Sequence, residues 1–281
     1  MLRVACVQTD PKLGDLAQNL NRILRGIREA NADLVVFPEC ALSGYGFDSR
    51  EAGLRAAEPL PGPGSKEIQT ACRETGAWVV FGLLERAGKR GLFNSAALVG
   101  PKGVAGVYRK AHLPYLGIDR FTDKGDVGFP VFDTPVGRIG LLICYDGSFP
   151  EAPRVLKLAG AQLICLPTNW PEAAEVSACH SPMVRAQENH VNFVTCNRVG
   201  QEAGFTFRGE SKICDHSGRV LASAGREEQT ISAELDLASA DRNRVVYSEG
   251  RYELDRIAHR RPEFYAPLAR RTRPARVRRR G

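Results

Sequence analysis

Three apolar, strand-like runs end in residues that can do chemistry. Glu39 closes DLVVFPE, Cys144 lies near the end of GRIGLLICYD, and Thr168-Asn169-Trp170 closes QLICLPTNW. In α/β sheets ligands bind beyond the carboxyl ends of strands, so the tips of neighbouring strands converge on one cleft. A cysteine attacks as its thiolate, and a free thiol is mostly protonated near neutrality. It therefore needs a base or a nearby cation. Glu39 can be that base, because a carboxyl in an apolar pocket has a raised pKa and passes protons both ways. Lys110, at the end of VAGVYRK, and the backbone N–H of Tyr145 can hold the oxyanion of a tetrahedral intermediate. Taken singly, each residue also has an ordinary reading. Glu39 could cap a helix or join an ion pair, Lys110 could be a surface lysine, and Cys144 could simply pack.

The elements that must position these residues follow from periodicity. LRVACVQ at 2–8 has strand length. Leu16, Leu20, Ile23, Leu24, Ile27 and Ala30 recur at helical spacing and make one apolar face. After the DLVVFPE strand come a Pro/Gly loop at 60–64, a helix over 66–75, the strand WVVFGLLE, and a hairpin turning at GPKG. A second series follows: the strand GRIGLLICYD, a helix in PEAPRVLKLAGA ended by Gly160, the strand QLICLPTNW, and a helix over 181–190. It continues with the strand VNFVTCNRVG, a hairpin around HSG, and the strand QTISAELDL. Strands alternating with helices predict an α/β architecture. The parallel course of the two series suggests two similar halves with two packed sheets.

Composition narrows the classes. Apolar residues make up 43% and charged residues 25%, as in ordinary globular proteins. No window approaches the length of a membrane span, and MLRVACVQTD lacks the apolar core of a signal peptide. The eight cysteines form no CxxC pair and no His/Cys cluster with zinc spacing, so no metal site is expected. Reduced thiols inside apolar runs fit a cytoplasmic compartment. The formal charge of +7 is carried by the end of the chain: residues 270–281 hold seven Arg and no acid, and the rest is neutral. The expected organisation is one domain over 1–269 followed by an Arg-rich, disordered tail over 270–281. Nucleic acid or another polyanion is expected to bind nowhere except through that tail.

Longer strings connect the candidate residues. FPECALSGY surrounds Glu39, VYRKAHL surrounds Lys110, and GRIGLLICYDGSFPE surrounds Cys144. Together with AGAQLICLPTNW, RAQENHVNFVTCNRVG and GESKICDHSGRVLA, they resemble the nitrilase superfamily over about residues 2–268. The order Glu, Lys, Cys, at separations of 71 and 34, is similar to the family's. The resemblance implies a four-layer α-β-β-α sandwich and a cofactor-free cysteine hydrolase. Glu39 would be the general base, Lys110 the catalytic lysine and Cys144 the nucleophile, working through a thioester. It also implies a homodimer or larger assembly.

Two positions depart from the pattern. Asp119 stands where many members carry a second glutamate; it would position Lys110 or substrate, or else pair in solvent with Arg120 or Lys124. Ser148 stands where many relatives have an Arg. Cys144-Tyr145-Asp146 resembles the amidase and carbamoyl-amidase branches, whereas nitrilases usually read Cys-Trp-Glu. The expected substrate is therefore a small linear amide or N-carbamoyl amine. A nitrile is the alternative, and a catalytically silent binding protein the reading from another class. Tyr45, Tyr115, Tyr145, Asn169 and Trp170 are candidate pocket residues, since each adjoins a motif or strand tip. His112 lies two residues beyond Lys110 and reads as structural.

Overall fold

Leu2, Val4 and Cys6 join one apolar cluster, while the intervening Ala5 and Val7 join another. This alternation is the period-two signature of a strand buried on both faces, and it sets out the layers. In the computed structural model, which describes residues 1–270, the first series is β1 (Leu2–Gln8), α1 (Leu16–Glu29), β2 (Leu34–Val36), α2 (Arg50–Arg55), α3 (Pro63–Thr75), β3 (Trp78–Ala87), β4 (Gly91–Gly100) and β5 (Gly103–Arg109). The second is β6 (Val131–Thr134), β7 (Gly137–Leu141), α4 (Glu151–Leu158), β8 (Leu163–Thr168), α5 (Glu175–Cys179), α6 (Ser181–Asn189), β9 (Asn192–Asn197), β10 (Gln201–Glu202), β11 (Phe205–Thr206), β12 (Lys212–Cys214), β13 (Val220–Ser223) and β14 (Gln229–Leu235).

Two six-stranded sheets result, ordered β14-β1-β2-β3-β4-β5 and β13-β12-β9-β8-β7-β6. Each has three parallel strands at its centre: β1, β2 and β3 in one, β7, β8 and β9 in the other. Antiparallel strands flank both trios, so the two halves share one strand pattern. The sheets meet through Leu2, Val4, Cys6, Val36, Leu141, Cys165 and Cys196. Two thiols cross the gap: Cys6 Sγ reaches Thr195 O at 3.7 Å and Cys196 Sγ reaches Val7 O at 3.5 Å. On the outer face of the first sheet, Ile23 and Ile27 of α1 and Ile68 and Cys72 of α3 pack with Val35, Val79 and Phe81. Leu156 of α4 and Ala186 of α6 lie in the cluster that contains the second sheet. The result is the four-layer α-β-β-α sandwich.

Local chemistry closes each element. The Asp15 side chain accepts from Gln18 N and starts α1. Pro63 opens α3, and Gly76 ends it in the left-handed region. The strand expected across GRIGLLICYD stops at Leu141, because the Asp146 carboxylate takes the Ile143 N–H at 3.0 Å and the chain turns. The strand expected across DLVVFPE likewise stops at Val36, just before Pro38 removes a ladder donor.

The described chain forms two compact units, Met1–Arg242 and a second from Asn243 on, where the sequence pattern suggested a single domain over 1–269. The second unit is built on β15 (Arg244–Ser248) and β16 (Tyr252–Asp255), which pair antiparallel with each other. Tyr247 and Tyr252 stack there at 4.6 Å. Residues 271–281, and with them all but the first residue of the tail expected over 270–281, lie outside the described residues. Among the described residues no helix is long and apolar enough to cross a membrane.

Candidate active site

Glu39 follows β2, and its backbone passes directly against β3. A side chain at Gly82 would meet Cys40 N at 2.3 Å and Glu39 Cα at 2.6 Å, so the close approach requires glycine. Lys110 begins where β5 ends, and its N–H still bonds Asn94 O at 2.9 Å. Asp119 lies in a single turn at Gly117–Arg120, where Gly117 has φ +47° and sits against the Tyr45 ring. Glu39, Lys110 and Asp119 are all buried. Lys110 Nζ donates to Glu39 Oε1 at 2.7 Å and to Asp119 Oδ2 at 2.5 Å. An ammonium has three donors, so one N–H remains for another acceptor. Of the two readings of Asp119, the structure brings about the one that pairs it with Lys110.

Glu39 is held asymmetrically. Oε1 accepts from Lys110 and from Asn94 Nδ2, the latter at 2.7 Å. Oε2 is buried with no hydrogen-bond partner among the described residues. Burial raises the Glu39 pKa, and the Asp119 charge adds to this, against the pull of Lys110. Burial pushes the Lys110 pKa down, but the charges of Asp119 and Glu39 overcome it and hold the ammonium well above its ordinary range.

Cys144 sits in the turn after β7 with φ +45°, a left-handed conformation that costs energy in a residue with a Cβ. The thiol is buried and pushed up to about 12, first by burial and then by the Glu39 charge. Lys110, the Thr168 side chain and the Asn169 N–H pull the other way. The resting sulfur is therefore a protonated thiol, and a proton acceptor is needed to make it a nucleophile. The turn is fixed by Asp146, whose buried carboxylate accepts from Ile143 N, His112 N, His112 Nδ1 and Tyr108 Oη at 2.7–3.0 Å. His112 also stacks on Phe149 at 3.8 Å. It ties the nucleophile turn to the lysine segment, in keeping with a structural role.

The remaining candidates divide. Asn169 is 1% exposed, and neither side-chain polar atom has a partner among the described residues. Trp170 is buried beside it, its backbone N–H held by Asn197 Oδ1 at 2.8 Å. Tyr45 is buried with its hydroxyl donating to Asp119 Oδ2 at 2.9 Å, so it backs the lysine. Tyr145 is 38% exposed, edge-on to Phe149. Tyr115 is 91% exposed, with Arg120 over its ring, and is no part of this buried cluster. Its place in the sequence, five residues past Lys110, belongs to a loop that turns outward before Asp119 turns back in. Ser148 is exposed; Arg185 of α6 donates to the neighbouring Gly147 O at 2.9 Å.

Asn94 is the residue that sequence reasoning missed. It interrupts an otherwise apolar strand as the first of two buried polar residues, Asn94-Ser95, which is the local signal it carries. All eight cysteines are free thiols. Two of them, Cys40 and Cys144, feel the charges of both Glu39 and Lys110, and Cys40 Sγ donates to Asn94 Oδ1 at 3.6 Å. Among the described residues no group of three or more His, Cys, Asp or Glu side chains is arranged to hold a metal ion.

The arrangement can transfer a proton from a thiol to a carboxylate beside a fixed cation. Comparison with known proteins bears on this. The profile of the carbon–nitrogen hydrolase family matches residues 3–244. The chain is 37% identical over 272 residues to a protein of Pyrococcus abyssi named nitrilase, covering 94% of this chain and 99% of that one. It is 37% identical over 245 residues to an (R)-stereoselective amidase of a Pseudomonas species, covering 84% and 85%. The solved structure of a carbon–nitrogen hydrolase from Helicobacter pylori superposes with a TM-score of 0.86 at 23% identity, covering 96% of this chain and 99% of that one.

Proposed function

The chain belongs to the carbon–nitrogen hydrolase family, and from that premise we propose that it hydrolyses a small linear amide or N-carbamoyl amine through a thioester on Cys144. The observation that carries this reading is the buried Glu39 Oε2, which has no hydrogen-bond partner among the described residues, on a carboxylate that is paired to the doubly held Lys110 and whose charge acts on the Cys144 thiol. Glu39 takes the thiol proton as Cys144 attacks the carbonyl carbon. The third N–H of Lys110 and the Tyr145 N–H hold the oxyanion. Glu39 then returns the proton to the departing ammonia or amine. Water, deprotonated by Glu39, attacks the thioester, and the acid leaves as the thiol is restored. The difficult cleavage is divided into two easier steps. Asn169 and Trp170 contact the substrate, and Asp119 holds Lys110. The working form is a homodimer or larger, as the family resemblance implies.

The Cys144-Tyr145-Asp146 string and the amidase relative favour amides. A nitrile substrate is the second reading, favoured by the nitrilase named in Pyrococcus abyssi. Ammonia release from linear amides, ureido compounds and the matching nitriles separates the two. Amides or ureido compounds turned over faster than the nitriles, with none turned over by Cys144→Ala, is the expected result. Nitriles preferred over their amides would replace the proposal with the second reading, and silence across the panel would remove both.

A further inference from the structure

The side-chain amide of Asn94 has two N–H groups, and both are directed at carboxylates. One goes to Glu39 Oε1 at 2.7 Å, the other to Asp119 Oδ1 at 2.8 Å. Its carbonyl oxygen faces the other way and receives the Cys40 thiol at 3.6 Å. The assignment of nitrogen and oxygen is thus determined by the partners: two acceptors on one side and a donor on the other. Asn94 is buried as the fourth residue of β4, after Gly91–Phe93. The two carboxylates it joins are the two that pair with Lys110, so Asn94, Glu39, Lys110 and Asp119 close a ring of four hydrogen bonds.

We propose that Asn94 is a positioning residue of the hydrolytic reaction: it holds Glu39 by Oε1 and so leaves Oε2 as the one oxygen that exchanges protons with Cys144 and the substrate. This rests on Glu39 being the base. The physical reason for an amide is charge. Two carboxylates and one ammonium already meet here, and a neutral group with two donors joins the carboxylates without adding to either sign. An Asp in its place has the same shape but no donor, and it would set a third negative charge beside the first two. A Leu has neither donors nor charge. Around the Glu39 carboxyl stand Lys110 at the end of β5, Asp119 in its turn, Cys144 in the nucleophile turn, and Cys40 and Tyr45 on the segment after β2. Losing the Asn94 hydrogen bond removes one of the interactions that lower the Glu39 pKa.

The test is the pH profile of kcat/KM for the wild type, Asn94→Leu and Asn94→Asp, with melting curves as the check on folding. Both variants are expected to lose about 10²-fold in kcat with KM little changed, since a displaced base misses its geometry. Both acid limbs are expected to move to higher pH, and Asn94→Asp is expected to be the worse in both respects. If Asn94 only fills space, the order reverses, because the isosteric Asp then does less harm than Leu. That reversal, or an acid limb that stays in place, overturns the proposal. If Asn94→Asp does not fold, Asn94→Ser, with one donor for two acceptors, is read by the same shift in the acid limb. Glu39→Gln separates this from the underlying mechanism. A fully active Glu39→Gln removes the base itself, whereas an inactive one beside wild-type Asn94 variants removes only the role given to Asn94.

Discussion

The two halves of the sandwich have the same strand pattern, and corresponding tips are put to different uses. In the first sheet β1 ends at Gln8, which is buried and satisfied: Nε2 donates to Gly225 O and Glu227 O, and Oε1 accepts from Ser211 N and Oγ. In the second sheet the corresponding strand, β7, leads to Cys144, whose thiol is held protonated beside a carboxylate and a lysine. The next tips are both left incomplete, to different degrees. β2 leads to Glu39, with one oxygen paired twice and the other unpaired, and β8 leads to Asn169, with neither polar atom paired among the described residues. A strand tip gives position to whatever follows it. Whether that residue serves stability or reaction depends on whether its hydrogen bonds are complete, since an unsatisfied buried polar group is costly and is kept where something else will use it.

The largest effect expected to separate the two tips comes from Cys144→Ala and Gln8→Leu. The first is expected to reduce turnover by about 10⁴-fold or more while melting close to wild type, as loss of a nucleophile does. The second is expected to cost about 1–3 kcal/mol of stability, leaving orphaned partners, with turnover per folded molecule unchanged. Ammonia release and chemical denaturation read the two quantities separately. If Gln8→Leu lost activity without losing stability, the contrast between a structural and a reactive tip would fail.

Lys110→Met sharpens the same contrast, because this lysine is both a donor and the counter-charge of two carboxylates. Its loss is expected to lower kcat by about 10²–10³-fold, the scale for one oxyanion donor. It is also expected to destabilise the fold by about 3–5 kcal/mol, since Glu39 and Asp119 are left buried and unpaired. A variant that kept its stability would show that the pairs contribute nothing net. The stability readout is independent of the substrate.

The smallest effect is in the pH dependence. Glu39 must be ionised to take a proton, and its pKa is raised above 4.5, so activity is expected to fall as pH drops through that raised value. Its effect on stability has the opposite sign. A raised carboxyl pKa favours the folded state below 4.5, and that contribution is lost as pH rises through the folded value. Cys144, near 12, is expected to give no alkaline limb below that pH. Alkylation of Cys144 by iodoacetamide should follow the Glu39 limb. A rate that instead climbed steadily as an isolated thiol ionised would mean that Glu39 does not serve the sulfur.

Much of this was legible in the chain. The apolar runs located the central strands, and the helical spacing in 16–30 located α1. The motif strings singled out Glu39, Lys110 and Cys144, which the fold brings to one place. The ends of elements were less legible: the strand through GRIGLLICYD stops at Leu141 because of a side-chain hydrogen bond from three residues beyond Cys144's neighbour Ile143, and apolar character alone does not reveal such a cap. Tyr115 stood close to Lys110 in sequence, yet the loop carries it into solvent.

Residue type and local order determined what each group can be: a thiol, a carboxylate, an ammonium, and strands and helices able to carry them. Those properties are covalent or depend on near neighbours. The tertiary structure decided which state each group occupies. Lys110 reaches Glu39 across 71 residues, and Asn94 reaches Glu39 across 55. Desolvation and charge pairing act through space, so the raised thiol, the retained ammonium and the one open oxygen of Glu39 exist only once the sheets have packed. The same holds for Asn94, an unremarkable polar residue in a strand until folding places a carboxylate at each of its two N–H groups.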